Sequence, residues 1–281
     1  MVGSNRLSSR IVFLYIPLAL FTIFLLFPFY WMLIISLKPN SLLLNTRVNP
    51  LYLTEFTLRH YRYLFENTDF PRWAWNTAVV TFGATLLSLT CSILMGYALG
   101  RFRFKGGNLM GTAVFLAYLI PPTLLFIPLS QVVVRFGIYN EYWALILTYP
   151  TFLIPFASWL LMGYFRTIPR ELEECAMIDG ASRIQAMRRI ILPLALPGVL
   201  SAAIFSFTLS WNEFLYALVF MGSGHMKTIP VGTVNDLIRA DVFQWGPLMA
   251  AAVLGSVPVA VVYMFFVDHY VSGMTAGAVK G

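Results

Sequence analysis

The sequence predicts an all-α polytopic membrane protein of about six transmembrane helices, and three observations carry that prediction. Apolar residues make up 59% of the 281-residue chain and charged residues 11%, with a mean hydropathy of +0.75. A soluble domain carries about a quarter charged residues. The apolar residues also gather into runs of roughly 20, the length a helix needs to cross a bilayer core. Finally, the formal net charge of +7 is explained by Arg and Lys at membrane borders, so it does not require a nucleic acid partner.

In chain order the runs are Ile11–Leu37, Trp75–Leu99, Met110–Val134, Tyr142–Tyr164, Leu194–Trp211 and Gly246–Val267. The first follows Arg6 and Arg10 but is far longer than a signal-peptide core and lacks a small-residue cleavage pattern. It therefore reads as an uncleaved span. Trp31, Trp75, Trp143, Trp159, Trp211 and Trp245 fall mostly near predicted ends, where interfacial aromatics belong. Pro121, Pro122 and Pro128 lie in the third run, Pro150 and Pro155 in the fourth, and Pro258 in the sixth. Prolines inside spans are tolerated where neighbours satisfy the freed backbone.

Lys and Arg show a modest inside excess that puts both termini in the cytoplasm. The loop from Lys38 to Ala74 runs against it, with Arg47, Arg59, Arg62 and Arg72. The organisation expected is residues 1–74 for the N-terminus, first span and outer loop, 75–267 for a core of five spans, and 268–281 for a cytoplasmic tail. Between the last two spans, Phe214–Met221 is apolar but too short to cross, so it reads as a re-entrant element. Val231–Ala240 reads as a short helix.

The segment Thr167–Pro197 stands apart. It holds Arg170, Arg183, Arg188 and Arg189 with Glu171, Glu173, Glu174 and Asp179 in a chain otherwise poor in charge. Thr167 and Pro169 mark a helix start. The three glutamates then fall in the first turns, where the helix dipole favours negative charge. Asp179-Gly180 breaks the pattern, and Ser182 with Gln185 three residues on forms a capping box that restarts it. Leu172, Cys175 and Ala176 are expected on one face of the first helix, and Ile184, Met187 and Ile191 on one face of the second. A polar helix pair between spans reads as a docking surface. Held at the bilayer, it is not a DNA-reading helix–turn–helix. An interfacial amphipathic helix is disfavoured by the acidic cluster, which anionic lipids repel.

Catalytic constellations are missing. There is no G-x-x-x-x-G-K-[ST] to cradle nucleotide phosphates, and neither H-E-x-x-H nor G-x-S-x-G occurs. His60, His225 and His269 are scattered and read as surface residues; Cys91 and Cys175 lie in different environments, which argues against a disulfide or a metal site. Glu213, at the outer end of the fifth span, is the acidic residue of most interest, and headgroup placement explains it slightly better than a functional role.

Glu174-Cys175-Ala176-Met177-Ile178-Asp179-Gly180-Ala181, followed by Ile190-Ile191-Leu192-Pro193, resembles the EAA loop of permease subunits of binding-protein-dependent ABC importers. The family pattern is E-A-A-x-x-D-G-A and then I-x-L-P, with Cys175 here replacing the first alanine. The six runs, the W-N-E-F stretch at Trp211–Phe214 and the ending T-A-G-A-V-K-G extend the likeness over the whole chain, to the second permease subunit of maltose-type carbohydrate importers.

The resemblance implies that the loop 167–193 couples to a cytoplasmic ATPase through Glu173, Glu174, Cys175, Ala176, Asp179, Gly180 and Ala181. It implies ATP and Mg bound by two partner ATPase subunits, with no cofactor, metal or catalytic residue on this chain. A second, homologous permease subunit, an extracytoplasmic solute-binding protein, membrane lipids and a sugar complete the expected partners, in a bacterial plasma (inner) membrane. The outer loop between the last two spans is expected to probe the binding protein, and the tail Thr275–Gly281 to reach the ATPases. A polyol or glycerol phosphate is the alternative cargo. From composition alone an ion-coupled secondary transporter also remains, although it calls for mid-span carboxylates and the first four spans have none. Tyr118, Tyr149, Asn212 and Glu213 have the chemistry of sugar contacts, but plain packing explains each as well, and the substrate-contacting residues stay unassigned.

Overall fold

The protein is described by a computed structural model covering residues 9–43, 45, 49–239 and 242–276. Arg47 and the tail from Gly277 lie outside the described residues. Chain contacts divide the structure into two units, Met1–Phe70 with Thr233–Val257 and Pro71–Gly232 with Pro258–Gly281.

In the first unit, helix α1 (Ile11–Leu37) is apolar on every side, and its side chains from Ile11 to Tyr30 are exposed. Such a surface suits lipid rather than water. Its end is buried. Lys38, the first residue of the outer loop, is 1% exposed and donates through Nζ to the carbonyls of Asn49 at 3.3 Å and Pro50 at 3.1 Å. Helix α2 (Arg59–Asn67) brings in His60, whose Nε2 lies 2.9 Å from the Lys38 carbonyl oxygen. His60 is buried, which corrects its reading as a surface residue: the carbonyl partner satisfies a ring nitrogen that water would otherwise serve.

Helix α3 (Phe70–Arg101) opens the second unit and is longer than the apolar run by five residues at its start and two at its end. The third run is not a straight span. Helices α4 (Gly107–Tyr118) and α5 (Pro122–Arg135) meet at 93°. Pro121 and Pro122 supply no N–H, and each pushes its predecessor out of helical conformation, so the ladder fails between them and Tyr118. Pro150 and Pro155 are instead carried within α6 (Tyr142–Thr167).

The polar segment holds α7 (Glu171–Ile178) and α8 (Arg183–Leu194), and α8 meets α9 (Leu196–Trp211) at 78°. Counting each bent pair as one span, six segments are long and apolar enough to cross a bilayer; four helices are so on their own, among the described residues. Trp211, expected at an interface, is buried and stacks on Phe207 with ring centroids 5.6 Å apart.

The re-entrant reading of Phe214–Met221 corresponds to a short helix α10 (Leu215–Phe220), which buries Tyr216, Ala217 and Phe220. These join Val133 of α5 and Leu145, Tyr149 and Leu153 of α6 in one core. A second core beneath the polar segment joins Tyr97, Leu161, Phe165, Ile168, Met187 and Ile191. There α3 approaches α6 closely: a Cβ on Gly96 would lie 2.9 Å from the Leu161 Cβ, which explains a glycine in the helix.

Helix α11 (Ile229–Leu237) is shorter than the expected Val231–Ala240, because residues 238–239 leave the helix. They form strand β1 (Ile238–Arg239), antiparallel to β2 (Val242–Phe243), with Ile238 opposite Phe243. Helix α12 (Trp245–Ala276) carries the last apolar span, Trp245–Phe266.

Candidate functional site

The polar segment begins three residues later than the sequence suggests. Thr167 closes α6, donating to the Tyr164 carbonyl at 2.8 Å, and Ile168 is extended at φ −78° and ψ 129°. Helix α7 follows, with Glu171, Glu173 and Glu174 in its first turn and its exposed N–H groups.

Its end is a Schellman turn. The N–H of Gly180 donates to the Met177 carbonyl at 3.1 Å and that of Ala181 to the Ala176 carbonyl at 3.0 Å, which satisfies two terminal acceptors. This bonding needs a left-handed residue between them, and Gly180 supplies it at φ +90°. The capping box is present as well: the Gln185 side chain accepts from the Ser182 N–H at 2.7 Å, and Ser182 Oγ accepts from the Gln185 N–H at 3.3 Å. Asp179-Gly180-Ala181-Ser182 is thus one continuous stop-and-restart signal.

The glutamates separate by environment. Glu174 is exposed, with Leu172, Cys175 and Asp179. Ile178 and Ile184 are 84% and 67% exposed, an unusual fraction for isoleucine, so the outward surface of the pair combines carboxylates with bare apolar groups. Ala176 and Glu173 face inward, and Ala181 is half-buried. The expected face of Leu172, Cys175 and Ala176 is therefore divided, because the buried pair is Glu173 with Ala176, three residues apart. On α8, Met187 and Ile191 join the core while Ile184 stays outside.

Glu173 is held from α3. Its carboxylate accepts from the Tyr97 hydroxyl and, at 2.8 Å, from Arg101 Nε, with side-chain exposures of 2% for Arg101 and 7% for Glu173. The remaining donors of Arg101 reach the Ile168 carbonyl at 2.7 Å and those of Phe165 and Pro169 at 3.3 Å. One guanidinium therefore satisfies both an acidic side chain of α7 and the open carbonyls at the end of α6. From sequence, Arg101 is an ordinary border cation. Its role depends on where α3 ends relative to α7, and no local pattern encodes that. A cleft of about 750 Å³ beside it is lined by Arg103, Arg170, Glu174, Met177 and Arg183 among others.

Glu213 is a capping residue. It accepts from the N–H groups of Tyr216 at 2.8 Å and Ala217 at 3.1 Å, starting α10, and from the Tyr149 hydroxyl at 2.9 Å. Burial pushes its pKa up, while those backbone donors pull the other way. Tyr149 is fully buried beside it, Asn212 donates to the Thr208 carbonyl at 2.9 Å, and the exposed Tyr118 ring lies 5.2 Å from that of Phe156. Glu213 and Tyr149 are therefore brought together directly. Among the described residues, no group of His, Cys, Asp and Glu is placed to hold a metal.

The fold and the segment between its spans define a multi-pass helical membrane protein with a polar helix pair, part buried and part presented outward. The chain belongs to the family of binding-protein-dependent transport system inner membrane components, whose model matches residues 88–276. It is 38% identical to the inner membrane ABC transporter permease protein YcjP of Escherichia coli (strain K12), over the full length of both. It is 36% identical to the trehalose/maltose transport system permease protein MalG of Thermococcus litoralis, covering 96% of this chain and 97% of that one.

Among solved structures, the fold resembles a chain of a bacterial ABC transporter involved in the import of the acidic polysaccharide alginate. The TM-score is 0.79 at 20% identity, covering 96% of this chain and 99% of the other. The resemblance read from the EAA-like loop is borne out at the level of family. Membership in a family of binding-protein-dependent transport components sets aside the ion-coupled transporter.

Proposed function

We propose that this chain is one of two transmembrane subunits of a sugar importer. In this reading it carries a di- or oligosaccharide across the plasma membrane by alternating access, powered by two separate ATPase subunits. The observation that carries the reading is the outward surface of α7 and its turn: an exposed Glu174 beside bare Ile178 and Ile184, in a permease whose relatives include proteins named for trehalose/maltose and diacetylchitobiose transport. Bare apolar side chains on the same helix pair as exposed carboxylates suit a protein partner that covers the former and pairs with the latter.

Glu174, Cys175 and Asp179 form the contact with the ATPase, Gly180 and Ala181 hold the turn, and Glu173 and Ala176 support it from beneath. ATP and Mg sit on the partner subunits, and this chain supplies no hydrolytic group. Both termini lie in the cytoplasm. The segment between α9 and α12 meets the solute-binding protein on the opposite side. A second, homologous permease subunit completes the pathway.

Glu174→Lys tests the contact: it should reduce the ATPase recovered with the permease and abolish uptake while membrane insertion stays normal. Undiminished recovery with normal uptake removes the proposed contact. Screening ligands of the solute-binding protein that co-purifies with the complex tests the cargo. A sugar supports the reading, a polyol or glycerol phosphate redirects it within the class, and an amino acid or metal overturns it.

A further inference from the structure

We infer that Arg101 is the node through which movement of α7 reaches the membrane spans, with Glu173 as its positioning partner; this rests on the ATP-driven reading above. The covalent route from α7 to α6 is a short hinge, Ile168 to Arg170, whose first residue is extended. A hinge passes on a pull but not a tilt or a twist. Arg101 bypasses it. Its guanidinium bonds the first turn of α7 through Glu173, the hinge through Ile168 and Pro169, and the last turn of α6 through Phe165. Its own backbone closes α3, which is remote from α7 in sequence.

The grip has two points. Tyr97 and Arg101 lie one turn apart on α3, and they take different oxygens of the same carboxylate. Glu173 is therefore fixed in position and in rotation. Burial makes the connection brittle, because separating the partners strands a charge out of water. It either holds or breaks, so α7 and the ends of α3 and α6 move as one piece. A lysine could supply the charge but not a fork that serves a carboxylate and three carbonyls together. Glu173 and Glu174, adjacent in the chain, thus divide the work: Glu174 faces the ATPase, and Glu173 delivers its motion to a span that the loop does not touch covalently.

The test uses the whole importer in proteoliposomes, with Arg101→Ala, Arg101→Lys, Glu173→Gln, Glu173→Ala and Tyr97→Phe in this chain. The expected result in Arg101→Ala and Tyr97→Phe is normal recovery of the ATPase and continued ATP hydrolysis, with solute moved per ATP reduced at least tenfold in Arg101→Ala. Arg101→Lys should restore only a fraction. Hydrogen exchange across residues 171–182 should quicken in Arg101→Ala, and adding Glu173→Ala should make little further difference, as expected for two residues acting as a unit.

Unchanged transport per ATP would overturn the inference, as would additive losses from the pair. Parallel loss of ATPase recovery would reduce Arg101 to a folding residue. If Arg101→Ala does not assemble, the nearly isosteric Tyr97→Phe carries the same readings and Glu173→Gln that of solute moved per ATP. If Glu174→Lys strips the ATPase while the Arg101 variants stay coupled, this inference fails alone. If the unaltered complex shows no ATP-driven uptake, the importer reading itself fails.

Discussion

Replacing Gly180 separates two explanations of the turn, backbone conformation and lack of space. The residue sits at φ +90°, and a Cβ built there meets nothing within 4 Å. The cost of a side chain is therefore torsional. For an ordinary L-residue the left-handed region costs roughly 1–2 kcal/mol. Asparagine tolerates it better, and a β-branched residue is a genuine outlier there. At about 1.4 kcal/mol per factor of ten, Gly180→Ala should lower the population of the intact Schellman turn roughly tenfold relative to opened forms, and Gly180→Val by more.

The assay is solute uptake by membrane vesicles with matched amounts of each variant, alongside hydrogen exchange of residues 176–186. Uptake should fall in the order Gly, Asn, Ala, Val, with exchange rising in the same order. Wild-type uptake by Gly180→Val would refute the torsional account. A Gly180→Asn variant as impaired as Val would point to side-chain bulk instead.

Asn76 and Glu213 give two further expectations. Fully buried Asn76 donates to the carbonyls of His225 and Lys227, each at 2.8 Å, and accepts from the Tyr142 hydroxyl at 2.8 Å. Asn76→Ala removes three hydrogen bonds worth about 0.5–1.5 kcal/mol each, so a loss of thermal stability is expected in detergent, and an unchanged melting temperature would count against this packing. Glu213 has a pKa raised above its ordinary 4.5 by burial. A raised carboxyl pKa contributes stability that is full below the ordinary value and lost as pH climbs through the raised one. Glu213→Gln should therefore flatten the decline in stability over that window, as thermal unfolding against pH will show.

The spans and the turn were legible because their signals are local. Twenty apolar residues in a row, an Asp179-Gly180 break and a Ser182–Gln185 box each act within one or two helical turns. Breaks were harder to read: Pro121-Pro122 separates two helices at 93°, whereas Pro150 and Pro155 remain inside α6. The outcome depends on what packs against each kink. The faces of α7 were not legible. Apolar periodicity selects Leu172 for burial, yet Glu173 is buried, because Arg101 and Tyr97 arrive from a helix more than seventy residues earlier. His60 was misjudged for a related reason, since a polar residue is read as exposed unless its buried partner is known.

The central claim, that this chain passes sugar in response to ATP hydrolysed by its partners, is tested most directly by reconstitution. The complete importer is placed in liposomes with ATP on the side of the ATPases and the loaded solute-binding protein on the other. Labelled sugar should accumulate against its gradient, only with ATP present, and Glu174→Lys in this chain should abolish that accumulation. Accumulation without ATP, or undiminished accumulation by the Glu174→Lys complex, would contradict the account.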